Sequence, residues 1–79
     1  MNNQRMLSDI AVEIKHDWKN VYFGAVPYLN AMLYLNDCHD MYGQDSGYSI
    51  VTYFLGNAQT WRGEVAKRVK KELNQMLKK

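Results

Sequence analysis

Residues 47–58 read Gly47-Tyr48-Ser49-Ile50-Val51-Thr52-Tyr53-Phe54-Leu55-Gly56-Asn57-Ala58, and the fold class turns on them. The run from Ser49 to Phe54 is rich in β-branched and aromatic side chains, a composition suited to a strand. Its spacing points the other way. Ile50, Phe54 and Ala58 recur every four residues, as one face of a helix requires. Ser49, Thr52 and Gly56 form a small-residue face that would admit another helix closely. Asp45 or Ser46 suits the N-cap, and Gly56-Asn57 suits the C-terminal stop. Helix over about Gly47–Leu55 is preferred, with a strand over 48–55 as the alternative.

The flanking segments fit the helical choice. Asn36 to Gln44 reads as a loop between two apolar runs. Upstream of it, Val26 to Leu35 carries Val26, Leu29, Met32 and Leu33 on one side and Tyr28, Ala31 and Leu35 on another. So apolar a helix is expected to be central or part of an interface, and Pro27 suits its first turn. Asn20 to Gly24 is a break, with Gly24 able to take positive φ. Before it, Leu7, Ile10, Ala11, Ile14 and Trp18 form one helical stripe. Downstream, Thr60 can cap a last helix on which Trp61, Val65, Val69, Leu73 and Met76 make the apolar stripe. Glu64–Arg68 and Arg68–Glu72 would be i,i+4 pairs contributing about 0.3–0.5 kcal/mol each. Lys67, Lys71 and Lys78 project from the other side, and Lys78 and Lys79 complement the helix dipole. The expected fold is all-α, a small bundle of three or four helices in one domain spanning 1–79. The expected core is Leu7, Ile10, Ile14, Trp18, Leu29, Met32, Leu33, Ile50, Phe54, Trp61, Val65, Val69 and Leu73.

Composition bounds the object. Seventy-nine residues allow one domain, and a chain this short buries only about 60% of its unfolded surface, so a homodimer is an option. The single Cys38 excludes an internal disulfide and suits a reducing compartment. The start, Met1-Asn2-Asn3-Gln4-Arg5-Met6, lacks the apolar run of a signal peptide. No stretch approaches the roughly 20 apolar residues of a membrane span. A soluble cytoplasmic domain is expected.

The formal charge of +2 conceals an asymmetry. Residues 1–19 are neutral, residues 20–60 carry −3, and residues 61–79 carry +5. From Asn20 to Thr60 there is no Lys or Arg, yet eight of the ten aromatic residues sit there. Tyrosine-rich, lysine-poor composition is typical of protein–protein interfaces; packing of the same rings into the core is the alternative.

Motifs for chemistry are sparse. Cys38-His39 with Asp37, Asp40 and Asp45 has metal-ligand types but no second Cys or His at finger spacing. A polar loop is the simpler reading, and a zinc-stabilised module the alternative. Glu13-x-x-His16 matches half of a di-iron motif, with no second half to complete it. Neither a Gly-x-Ser-x-Gly elbow nor a phosphate-binding loop is present. No enzyme and no cofactor are expected. Arg62, Lys67, Lys70 and Lys71 on the last helix could contact phosphates, with Trp61 stacking on a base. A solvated basic face is the plainer reading.

Two stretches, Asp17-Trp18-Lys19-Asn20-Val21-Tyr22-Phe23-Gly24-Ala25-Val26-Pro27-Tyr28-Leu29 and Ser49–Glu64, resemble small uncharacterised proteins encoded by phages and mobile elements of Gram-positive bacteria. The resemblance implies an accessory protein that binds a host macromolecule, inhibitors of defence systems such as CRISPR nucleases among them. It carries no functional residues over. In that setting Asp9, Glu13 and Asp17, four apart with no base at i+4, form a carboxylate ridge. With carboxylates about 6 Å apart, it approximates the phosphate spacing of a nucleic-acid strand. The expected function is therefore a non-enzymatic protein-binding module, using exposed Tyr22, Tyr34 and Tyr42 and the ridge Asp9, Glu13 and Asp17. The alternative is a nucleic-acid-binding accessory protein using Arg62, Lys67, Lys70 and Lys71.

Overall fold

The computed structural model describes residues 5–78. The readings of Met1–Gln4 as lacking a leader, and of Lys79 as a dipole partner, lie outside the described residues. Four α-helices carry the fold: α1 (Leu7–Asp17), α2 (Val26–Met32), α3 (Gly47–Gly56) and α4 (Glu64–Leu77). Residues 47–56 are thus helix, as their four-residue periodicity requires. Ser46 is the N-cap, its Oγ accepting from Ser49 N–H at 3.3 Å.

The chain is mostly helical, with one correction to the all-α expectation. Within the expected loop, β1 (Met41–Tyr42) and β2 (Asp45–Ser46) pair antiparallel, Met41 opposite Ser46 and Tyr42 opposite Asp45. The connection is the two residues Gly43-Gln44. Gly43 has φ 65°, the left-handed conformation that a two-residue hairpin turn demands at its first central position.

Neighbouring helices pack in a closed circuit, α2 against α1 and α3, and α4 against α1 and α3. Helix α2 shares the middle of the molecule with the others and does not hold it alone. It is also shorter than expected, ending at Met32, while Leu35 is buried just beyond it. Pro27 sits in its first turn, where the missing N–H leaves no donor unsatisfied. A 3₁₀ turn, Phe23–Ala25, leads into it. Gly24 does not have positive φ. Its lack of a side chain serves close approach instead, because a Cβ there would meet the Tyr22 ring at 2.6 Å and Asn57 Oδ1 at 2.8 Å.

The buried side chains form one cluster. Leu7, Ile10, Ile14, Trp18, Leu29, Met32, Ile50, Phe54, Trp61, Val69 and Leu73 are buried as expected, while Leu33 and Val65 are only partly buried. Helix α4 also starts later than expected. Thr60 does not cap it; the cap is Gly63, at φ 113°. Trp61 therefore lies in the preceding loop, and the buried stripe of α4 is Ala66, Val69, Leu73 and Met76. The small-residue face of α3 also points away from its expected partner. Thr52 and Gly56 are exposed, and no atom lies within 4 Å of a Cβ placed on Gly56.

Candidate functional site

Two surfaces were expected to act, a carboxylate ridge and a set of exposed tyrosines. The fold dismantles the first. Glu13 is enclosed by two arginines: Arg68 of α4 donates to its Oε2, and an Arg5 nitrogen lies 2.9 Å from its Oε1. The approach of Arg5 is close enough for the charges to pair but off the line of a hydrogen bond, so that oxygen has no donor of its own among the described residues. Arg5 spends its fork on Glu72, with Nε at 3.0 Å from Oε2 and Nη2 at 2.7 Å from Oε1. The bond from Arg68 is the main reason that the Glu13 carboxyl sits below the usual carboxylate range; burial opposes it and Arg5 reinforces it. The Arg5 guanidinium is correspondingly held charged, chiefly by Glu72.

Asp17 is engaged as well, accepting from the Trp61 indole N–H at 2.8 Å. Asp9 alone of the three makes no ion pair or side-chain hydrogen bond among the described residues. It lines a shallow depression of about 400 Å³ with Val12, Glu13, His16, Asp17 and Val65. A row of three free charges, which imitation of a nucleic-acid strand would require, does not exist here. The network has a second consequence. Glu72 bonds to Arg5 ahead of α1 and Arg68 to Glu13 of α1, so the Glu64–Arg68 and Arg68–Glu72 pairs expected along α4 do not form among the described residues.

The tyrosines stand as expected. Tyr22, Tyr34 and Tyr42 are all exposed, Tyr34 by 77%. Sequence reasoning missed the side chain beside them: Phe23 is 80% exposed, the most exposed large apolar side chain among the described residues. Its signal was its position, an aromatic residue in a break between helices where no stripe claims it. The exposed rings occur in pairs, one of them with the half-buried Tyr28. Tyr22 and Phe23 have centroids 4.9 Å apart, Tyr28 and Tyr53 5.4 Å, and Tyr34 and Tyr42 6.1 Å.

These pairs mark the start, middle and end of the α2–α3 pair. The contacts of Gly24 with Asn57 and of Tyr28 with Tyr53 show that the two helices run antiparallel. Asn57 closes the last turn of α3 by donating from Nδ2 to the Tyr53 carbonyl at 2.8 Å. No lysine or arginine occurs in this part of the chain. Its acids are partly committed: Asp40 Oδ2 accepts from the N–H groups of Asn36 (2.8 Å) and Asp37 (3.3 Å), and Asp37 Oδ1 from His39 N–H (2.7 Å).

Cys38 corrects another expectation. Its loop is polar in composition, yet the thiol is buried, and burial, with the Asp37 charge, pushes its pKa up. His39 turns outward against Tyr48, with ring centroids 5.3 Å apart. Among the described residues no three His, Cys, Asp or Glu converge to hold a metal. On α4, Lys67 and Lys71 are exposed, but Lys70 is diverted: its Nζ donates to the Trp61 carbonyl at 2.7 Å and lies 5.9 Å from the indole. Burial lowers its pKa, with the Arg62 charge adding to the effect. Trp61 is itself enclosed at 2% exposure, so it does not stack on a base. No helix among the described residues is long and apolar enough to cross a membrane. No protein-family model, curated protein or solved structure matches the chain.

Proposed function

We propose that this chain is a non-enzymatic protein-binding module, and that the aromatic pairs along α2 and α3 are its contact surface. The observation that carries the reading is Phe23, 80% exposed beside Tyr22 in a segment without a single Lys or Arg. Leaving a phenylalanine ring in water forgoes roughly 1.5–3 kcal/mol of burial. Rigid aromatic side chains free of neighbouring lysines are what interface centres are made of. Three of the groups that catalysis could use are otherwise occupied. Glu13 is ion-paired, Asp17 holds an indole, and Cys38 is enclosed.

The resemblance to phage and mobile-element proteins favours a host protein as partner, a component of a defence system such as a CRISPR nuclease included. The ridge contributes at most Asp9 to this surface. The test is affinity capture from host lysate with the full chain and with Phe23→Ser and Tyr34→Ser variants. Both positions are exposed, so the variants are expected to fold. The reading requires a protein that the wild type retains and the variants lose, with Asp9→Ala as a lesser perturbation. Retention unchanged in both aromatic variants would remove it.

A further inference from the structure

We propose that the solvent face of α4 is a second, independent interaction surface, one that grips the phosphodiester backbone of a nucleic-acid duplex. The helix is 14 residues long, a rod of about 21 Å. Lys67 and Lys71 stand on it one turn apart, about 6 Å along the axis. With Gly63, Glu64 and Arg68 they line an open depression of about 610 Å³. Arg62 is exposed immediately before the helix and Lys78 at its end.

Charge is what decides the occupant. On a helix with Glu64 and Glu72, internal pairing would normally blunt these cations. Here Glu72 is drawn off by Arg5, and Arg68 turns to Glu13. Arg62, Lys67, Lys71 and Lys78 are left with no carboxylate at ion-pair distance among the described residues. Glu64 is the one acid lining the depression. A row of uncompensated cations complements a polyanion, and phosphates are the densest regular one.

The duplex form follows from where the aromatic rings are. Single strands are held by cations and stacking rings together, because unpaired bases need a π-face to rest on. This molecule separates the two. Its exposed rings lie between residues 22 and 53, where there is no Lys or Arg. Beside α4, Trp61 is buried between Trp18, stacked at 5.7 Å, and Phe54, edge-on at 6.5 Å. A duplex, with its bases already stacked, asks only for phosphate contacts. Lys70, tied to the Trp61 carbonyl, is not among the gripping residues.

The experiment is fluorescence anisotropy of a labelled 20-base-pair DNA duplex titrated with the full chain over a salt series. An unpaired strand of the same length runs in parallel. Contacts from Arg62, Lys67, Lys71 and Lys78 give a slope of log K against log salt of about −3.6. The Lys67→Ala/Lys71→Ala variant flattens it by about 2, and Arg62→Ala by about 1. Lys15→Ala, on exposed α1 surface, leaves the slope unchanged. Phe23→Ser also leaves duplex binding unchanged, which separates this surface from the protein-binding one. The proposal is overturned by no binding at 50 mM salt, by a slope insensitive to the α4 variants, or by a single strand that binds as tightly as the duplex.

Discussion

The indole N–H of Trp61 donates to Asp17 Oδ2 at 2.8 Å, joining residues 44 apart in sequence. Asp17 ends α1, and its neighbour Trp18 stacks on Trp61 with centroids 5.7 Å apart and planes 12° from parallel. Two adjacent residues at the C-terminal end of α1 thus hold one loop tryptophan, one by its face and the other by its edge. The Lys70 ammonium of α4 then takes the carbonyl of the same tryptophan.

This arrangement predicts a graded response. Trp61→Phe keeps a ring for the stack and loses the donor, at about 1 kcal/mol for a partly exposed hydrogen bond. Trp61→Ala loses the ring too and costs about 3–5 kcal/mol. Asp17→Asn keeps an acceptor and costs less than either. Urea midpoints of the three variants check the order. Equal losses for Phe and Ala would show that the hydrogen bond, and not the stack, dominates.

The glycines of α3 are expected to respond in opposite directions to alanine. A Cβ on Gly47 would lie 2.7 Å from Asp37 O and 2.7 Å from Cys38 Cα, both backbone atoms. The Asp37–Asp40 loop is fastened there by Gly47 N–H to Asp40 O (2.8 Å) and Tyr48 N–H to Cys38 O (3.1 Å), so it has little room to retreat. Gly47→Ala is predicted to destabilise by about 1–3 kcal/mol, the range for overpacking. Gly56 meets nothing within 4 Å and lacks positive φ. Gly56→Ala should stabilise by about 0.4–1 kcal/mol through the unfolded chain. Thermal melts of the two single variants decide it, and a shift of the same sign in both would contradict the close approach at Gly47.

What the sequence made legible is what local spacing controls. The four-residue rhythm of Ile50, Phe54 and Ala58 gave helix α3, and Ser46 its cap. Pro27 marked the first turn of α2, and the lack of lysine near Tyr34 and Tyr42 pointed to exposed rings. What it hid depends on distant meetings. Arg68 reaches Glu13 and Arg5 reaches Glu72 across 55 and 67 residues, so pairing assigned by i,i+4 spacing named the wrong partners. Trp61 fitted the α4 stripe in phase, yet Gly63, with its positive φ, caps a helix that starts three residues later, at Glu64. Cys38 belongs to a polar loop by composition and to the core by position, because the loop's carbonyls bind the first turn of α3.

That burial sets the chemistry of Cys38. With its pKa raised, chiefly by burial and also by the Asp37 charge, little thiolate is present at neutral pH, and the thiolate is the reactive form. Iodoacetamide at pH 7.5 is predicted to label the folded chain at least tenfold more slowly than the chain in denaturant. Native labelling at the denatured rate, followed by mass spectrometry, would place the thiol in solvent.

Glu13 has its folded pKa below the ordinary carboxylate value, mainly through Arg68. A depressed carboxylate contributes stability that is fully present above the unfolded value, about 4.3. That contribution is lost as pH falls through the folded value, because the unfolded state then binds the extra proton. Glu13→Gln removes the titration while keeping the shape, and leaves Arg5 and Arg68 without their shared anion. At pH 7 it should cost about 1 kcal/mol, the scale of a partly exposed ion pair. Subtracting the variant's unfolding free energy from the wild type's, pH by pH, cancels the other carboxylates. The difference should be flat from pH 7 to about 5 and shrink below that. The Arg5 guanidinium is held charged, so the shape follows the Glu13 proton. A difference independent of pH down to 3 would mean that the two arginines do not hold Glu13 ionised in the folded chain.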